Sequence, residues 1–304
     1  MPAWSAEVAT SWPVHVIDTT VYALGPEGLI EMTAATGTIT RRITLPGSPT
    51  GPMTRSGDLL IIPVAPAGLV AWHISDAREM WQQTLAAPTQ LAPVIVGGVV
   101  FVAQTDSRVT ALALTDGQIR WTTPLAGQAL ALAANRTRVV VAASNRGIYA
   151  LEAKSGSISW PDTAAADIVG LAIDDTRVYI AALDNTVRAL NSGNGNQRWK
   201  QVLENRIVTT PVMTPGGLLI TGIAPGLQML SSESGMVIGS YELPALTVAA
   251  LPPLVLNDHT EDGVVAVVVM RDGQILGIRT KPPEKEAEPA PDDKSTASPD
   301  APRR

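Results

Sequence analysis

The chain has 304 residues, of which 45% are hydrophobic and 16% charged, with a formal charge of −6 and a mean hydropathy of +0.16. It has no cysteine, which excludes disulfides, thiolate-bound metals and thiol catalysis, and its acidic balance argues against a nucleic-acid-binding surface. His15, His73 and His259 are far apart and belong to no metal-binding helix motif, and no apolar run reaches the roughly 18 residues of a membrane-spanning helix.

Residues 1–9 read as a flexible lead with neither a basic n-region nor an apolar h-region. Two readings stay open. Either the protein is cytoplasmic, or Met1 begins a trimmed mature form that belongs to the periplasm or cell envelope. Trp4 lies in this lead, outside the repeating body.

From residue 10 one phrase recurs: a β-branched run, a polar turn, a second run, then a turn that usually holds glycine and is often followed by tryptophan. The clearest copies are VVFVAQTDSRVTALALTDGQIRW, RVVVAASNRGIYALEAKSGSISW and RVYIAALDNTVRALNSGNGNQRW. The first runs centre on Tyr22, Ile61, Phe101, Val140, Tyr179, Leu219 and Val265, at intervals of 39, 40, 39, 39, 40 and 46. Such a period marks a repeat architecture. In the third unit the spacing predicts strands over 91–96, 99–104, 108–114 and 118–125, separated by Gly97-Gly98, Thr105–Ser107 and Asp116-Gly117. Short turns between β-branched runs make antiparallel hairpins, and four strands in about 40 residues make a propeller blade. The expected fold is therefore all-β: a seven-bladed β-propeller over residues 10–280. The last unit has three strands and lacks a fourth. Ser11-Trp12-Pro13 resembles Ser159-Trp160-Pro161 of an outer strand, so an N-terminal strand carrying Trp12 is expected to complete the last blade and close the ring.

After residue 280 the composition changes. Residues 281–304 hold six prolines and eleven charges with net charge −1, and are read as a disordered, solvating tail.

Glycine precedes tryptophan by four residues in Gly117–Trp121, Gly156–Trp160 and Gly195–Trp199, while Ala77 replaces it before Trp81. The glycine suits a turn with positive φ. Trp12, Trp81, Trp121, Trp160 and Trp199 are expected to lie on outer strands and dock between blades, and Trp72, on a third strand, is expected in the core. This pattern resembles the tryptophan-docking repeat of pyrroloquinoline-quinone-like propellers across nearly the whole folded body. The resemblance implies two branches: quinoprotein dehydrogenases and a non-catalytic type that assists outer-membrane barrel assembly. The dehydrogenases usually have eight blades, a calcium-held quinone, a catalytic aspartate and often a vicinal disulfide. Seven units, no cysteine, and acidic residues scattered one per turn do not match that set.

No catalytic, metal or cofactor residues are therefore assigned, and no cofactor is expected. The expected function is a non-catalytic scaffold within a multiprotein complex of the cell envelope, with proteins as partners and no transmembrane segment of its own. Peripheral attachment to a membrane stays open. The alternatives are a small-molecule- or polysaccharide-binding propeller and a quinoprotein dehydrogenase. Loops between second and third strands share one face, and loops on a rigid scaffold often carry function. Asp106, Asn145, Arg146, Asp184, Asn185, Arg271 and Asp272 are the candidate partner-binding residues there.

Overall fold

Runs of five or six β-branched and small residues, cut by two-residue turns, pair with the nearest run in sequence. The result is a series of antiparallel meanders. The computed structural model describes residues 8–10, 12–223, 226–243, 249, 252–256, 265–271 and 275–279. Trp4, Asp272 and residues 281–304 lie outside them.

The described strands form six four-stranded sheets and one three-stranded sheet, each joined in sequence order. They span 15–44, 54–84, 94–124, 129–163, 168–202, 212–241 and 254–279. In the third sheet the strands are Val94–Val96, Val99–Ala103, Arg108–Ala113 and Ile119–Pro124. First strands of neighbouring sheets approach one another, which places them innermost, while fourth strands are mostly exposed. The middle strands are buried almost throughout; Val139, Val141, Val178, Ile148 and Leu112 have no accessible surface. The core therefore lies between sheets. One cluster joins Val140, Ile148 and Trp160 of the fourth sheet to Ile168, Val178 and Leu190 of the fifth.

The first strand of the third sheet is shorter than the sequence spacing suggests, and Pro93 is the reason. Proline offers no N–H to a ladder. The chain makes an isolated bridge at Thr89↔Gln104, leaves the sheet, and rejoins it at Val94. The second and sixth sheets do the same around Pro52 and Pro211, with bridges Pro49↔Val64 and Ile207↔Gly222 before three-residue strands. The fourth and fifth sheets lack this proline. Their first strands, Ala129–Ala134 and Ile168–Ile173, run six residues with one bulge.

The same logic corrects the placement of Trp12. Pro13 precedes the first strand of the first sheet, His15–Ile17, as Pro52 precedes Thr54–Ser56. Trp12 is half-buried against the cluster shared by the first and second sheets, and belongs to no strand. Its likeness to Ser159-Trp160-Pro161 reflects a shared proline rather than a shared position. Among the described residues no fourth strand pairs with Ile275–Arg279.

Neighbouring sheets are joined by one repeated contact. Trp81, Trp121, Trp160 and Trp199 lie on fourth strands, and each reaches the next sheet. Their Nε1–H groups donate to the carbonyls of Leu114, Ala153, Ser192 and Ser232 at 2.8, 3.0, 3.0 and 3.0 Å. Three residues after each carbonyl stands a glycine with φ of 71–75°: Gly117, Gly156, Gly195 and Gly235. A Cβ there would come within 2.5–2.8 Å of the indole Cε3. Glycine is thus required both by the backbone and by the stacked ring. The fourth strand of the first sheet carries Arg41 at the tryptophan position, and its counterpart turn tolerates Ala77 at φ 52°.

Further bonds stitch the later blades. Asn135 Nδ2 donates to the Asp174 carbonyl at 2.7 Å, Arg138 Nε donates to the Ser192 carbonyl at 3.2 Å, and Thr123 Oγ1 donates to the Gly156 carbonyl at 2.7 Å. Tyr179 donates its hydroxyl proton to Asp174 at 2.6 Å. Burial pushes the Tyr179 hydroxyl well above its ordinary range, aided by that bond. Burial also raises Asp174, but the bonds from Tyr179, Thr176 and Arg177 outweigh it and hold the carboxyl below its usual value.

Candidate partner-binding face

Each turn between second and third strands sits beside the connection arriving from the previous sheet. The N–H groups of Ala65, Thr105, Ser144, Leu183 and Ile223 donate to the carbonyls of Ser48, Pro88, Gln128, Asp167 and Arg206. These five turn residues are equivalent positions around one face. They are small or polar in sheets two to four and large and apolar in sheets five and six, where Leu183 is 44% and Ile223 48% exposed.

The innermost segments, where the chain first meets each sheet, repeat this asymmetry. Counting one residue past the paired positions Pro49, Thr89, Ala129, Ile168 and Ile207 gives Thr50, Gln90, Leu130, Val169 and Val208. Leu130 is 48% exposed. An apolar crescent therefore runs across sheets four to six, while Thr50 and Gln90 at the positions equivalent to Leu130 on sheets two and three are polar. Within the crescent, Val169, Leu183, Val208 and Ile223 line a cleft of about 310 Å³, bordered by Arg206 and Arg271.

The residues singled out from sequence serve different ends. Asp106 pairs with Arg108 in its own turn at 3.2 Å. Asn145 donates Nδ2–H to the Ala126 carbonyl at 2.7 Å and accepts from the Gly147 N–H at 3.0 Å, so it shapes the turn. Asp184 accepts from the Thr186 N–H at 3.2 Å. Arg146 and Asn185 both take φ of 62°. Arg146 is exposed and donates to the Ala165 carbonyl at 3.0 Å. Of this set Arg271 alone lines the cleft, and Asp272 lies outside the described residues. Leu130, Leu183, Arg206 and Ile223 were missed. Aligning the units on the turn residue that opens each connection between second and third strands (Ala65, Thr105, Ser144, Leu183 and Ile223) would have found Leu183 and Ile223 as apolar outliers.

Two further ion pairs lie within the body. Arg138 pairs with Glu152 at 2.8 Å, and Arg188 faces Asp162 of the preceding sheet at 3.2 Å, though its Nη2 lacks hydrogen-bond geometry. Among the described residues no group of three potential metal ligands converges, and no helix is long and apolar enough to cross a membrane.

Solved structures with this architecture are numerous: 1564 chains match, so the likeness identifies a fold rather than an activity. BamB from Moraxella catarrhalis is similar at TM-score 0.63 and 15% identity, over 89% of this chain and 88% of that one. The computationally designed Ika8 protein is similar at TM-score 0.65 and 13% identity, over 91% and 99%. No curated protein sequence matches significantly. The family model described as outer membrane protein assembly factor BamB matches residues 2–141 and 124–250, and the chain, a propeller of pyrroloquinoline-quinone-like repeats, belongs to that family.

Proposed function

We propose that this protein is a non-catalytic interaction platform, a subunit or assembly factor of a cell-envelope multiprotein complex. The observation that carries the reading is the asymmetry of one face. A series of docked blades presents exposed Leu130, Leu183 and Ile223 on sheets four to six, where the equivalent positions of sheets two and three hold Thr50, Gln90 and Thr105 and the small Ala65. Leu183 and Ile223 share one open cleft with Val169 and Val208, and contiguous exposed apolar surface is what marks interaction sites. Membership of the assembly-factor family points the same way. The partner is a protein, and Arg146 and Arg271 contribute to its recognition. The test is purification of the tagged protein from its host with wild type and the Arg146→Glu/Arg271→Glu variant. A stoichiometric partner lost from the variant, at unchanged melting temperature, is expected. Calcium-dependent quinone oxidation by the purified protein, with no partner bound, would replace this reading with an enzymatic one.

The ring, in this reading, has seven blades and is closed by an N-terminal strand. Gly37 takes φ 67°, like the docking glycines, and occupies their place in the first sheet. Val8 packs on Val21, Ala23, Ile30 and Met32, so the chain enters on that side of the first sheet. Deleting residues 1–9, Val8 included, should then destabilise the ring. An unchanged melting temperature would rule this closure out.

A further inference from the structure

We propose that the cleft between the fifth and sixth sheets is a peptide-binding groove for an extended, apolar segment of a partner protein that carries carboxylates toward the Arg206 and Arg271 end. The inference rests on the interaction-platform reading and gives its binding surface a chemistry. Val169 and Val208 line the cleft from equivalent register positions of the fifth and sixth sheets, and Leu183 and Ile223 line it from adjacent turns. Side chains spaced by one blade suit an extended chain, whose alternate residues face the same way.

Charge fixes the polarity of the occupant. Arg206 is exposed in the connection between the fifth and sixth sheets, and Arg271 is exposed in the turn of the last sheet. Among the described residues neither guanidinium makes an ion pair or a hydrogen bond, Glu204 near Arg206 included. Asp167 and Asp184 stand on the fifth-sheet side, so the positive end of the cleft faces the sixth and last sheets. Two arginines that pair with nothing among the described residues, beside an exposed apolar cleft, are complementary to carboxylates next to leucine- or valine-type side chains. Arginine beside a central apolar pocket is also the composition that carries most binding energy in protein interfaces.

The test uses the full chain and a short fluorescein-labelled peptide in which leucines alternate with glutamates, read by fluorescence anisotropy. Binding is expected, weakening as salt is raised. Leu183→Asp/Ile223→Asp and Arg206→Glu/Arg271→Glu should each weaken it by at least about tenfold, with unchanged circular-dichroism melting because all four side chains are exposed. The peptide with lysines in place of glutamates should not bind. Equal binding of both peptides, no binding of the acidic one, or indifference to both double variants would overturn the groove. So would binding of anionic phosphatidylglycerol vesicles through these arginines without the peptide. Should the native partner still co-purify with Leu183→Asp/Ile223→Asp, the groove fails while the platform reading survives; should no partner co-purify with wild type, the platform reading fails.

Discussion

Replacing Gly156 by alanine separates the two demands that a docking glycine meets. An alanine Cβ at 156 would stand 2.5 Å from Trp121 Cε3, 2.6 Å from Cδ2 and 2.7 Å from Thr123 Oγ1, at φ 74°. Gly97 supplies the control: its φ is 57°, and a Cβ there would meet nothing within 4 Å. Both substitutions carry the left-handed backbone strain, about 1–2 kcal/mol. Gly156→Ala alone must also push the indole away, an overpacking cost of about 1–3 kcal/mol. Displacing the ring stretches the 3.0 Å bond from Trp121 Nε1 to the Ala153 carbonyl, for roughly 1 kcal/mol more. Gly156→Ala should therefore cost about 2–4 kcal/mol more than Gly97→Ala by this addition of overpacking and a lost bond. Urea unfolding reads the difference directly if the slopes agree. Equal losses at the two positions would refute the claim that the stacked indole, rather than the turn alone, requires glycine.

Two further outcomes follow from the same joints. Trp160 is 6% exposed, and Trp160→Ala should cost about 3–5 kcal/mol in urea unfolding; a loss under about 1 kcal/mol would mean that the ring carries little of the inter-blade packing. Tyr179 is held neutral by burial, so its contribution is full below the ordinary value of 10.0 and is lost as pH rises above it. Asp174 is depressed, so its contribution is present above its unfolded value of 3.8 and lost as pH falls below that. Tyr179→Phe should flatten the loss of stability on both limbs of a pH–stability profile, and an unchanged profile would contradict the network.

The repeat was legible because its cause is local. β-Branched runs and turn glycines recur at a fixed period, and neighbouring strands pair with what is nearest in sequence. The docking was half legible. The spacing from Gly156 to Trp160 marks one turn and one strand, but the contact joins Trp121 to Gly156 and Trp160 to Gly195 across two units. A search within single units therefore found the residues without the partners, and passed over Gly235, whose own unit has Gly239 where a tryptophan would stand. Trp12 was misplaced because a Trp-Pro pair suits both an outer strand and the lead into an inner one. The candidate face was the least legible. Its polar turn residues announce themselves as turn formers, and Asn145 and Asp184 do that work. Leu183 and Ile223 read as the ends of hydrophobic strands, and their exposure follows only from how the turn meets the connection arriving from the previous sheet.

The central claim is that one side of this face, on sheets four to six, meets a protein. Photo-crosslinking with p-benzoylphenylalanine in place of Leu183, and separately in place of Gln90 at the polar side of the same face, tests it in the host cell. The account predicts one discrete crosslinked protein from position 183 and none from position 90. Equal crosslinking from both positions, or a discrete product from 90 alone, would contradict it.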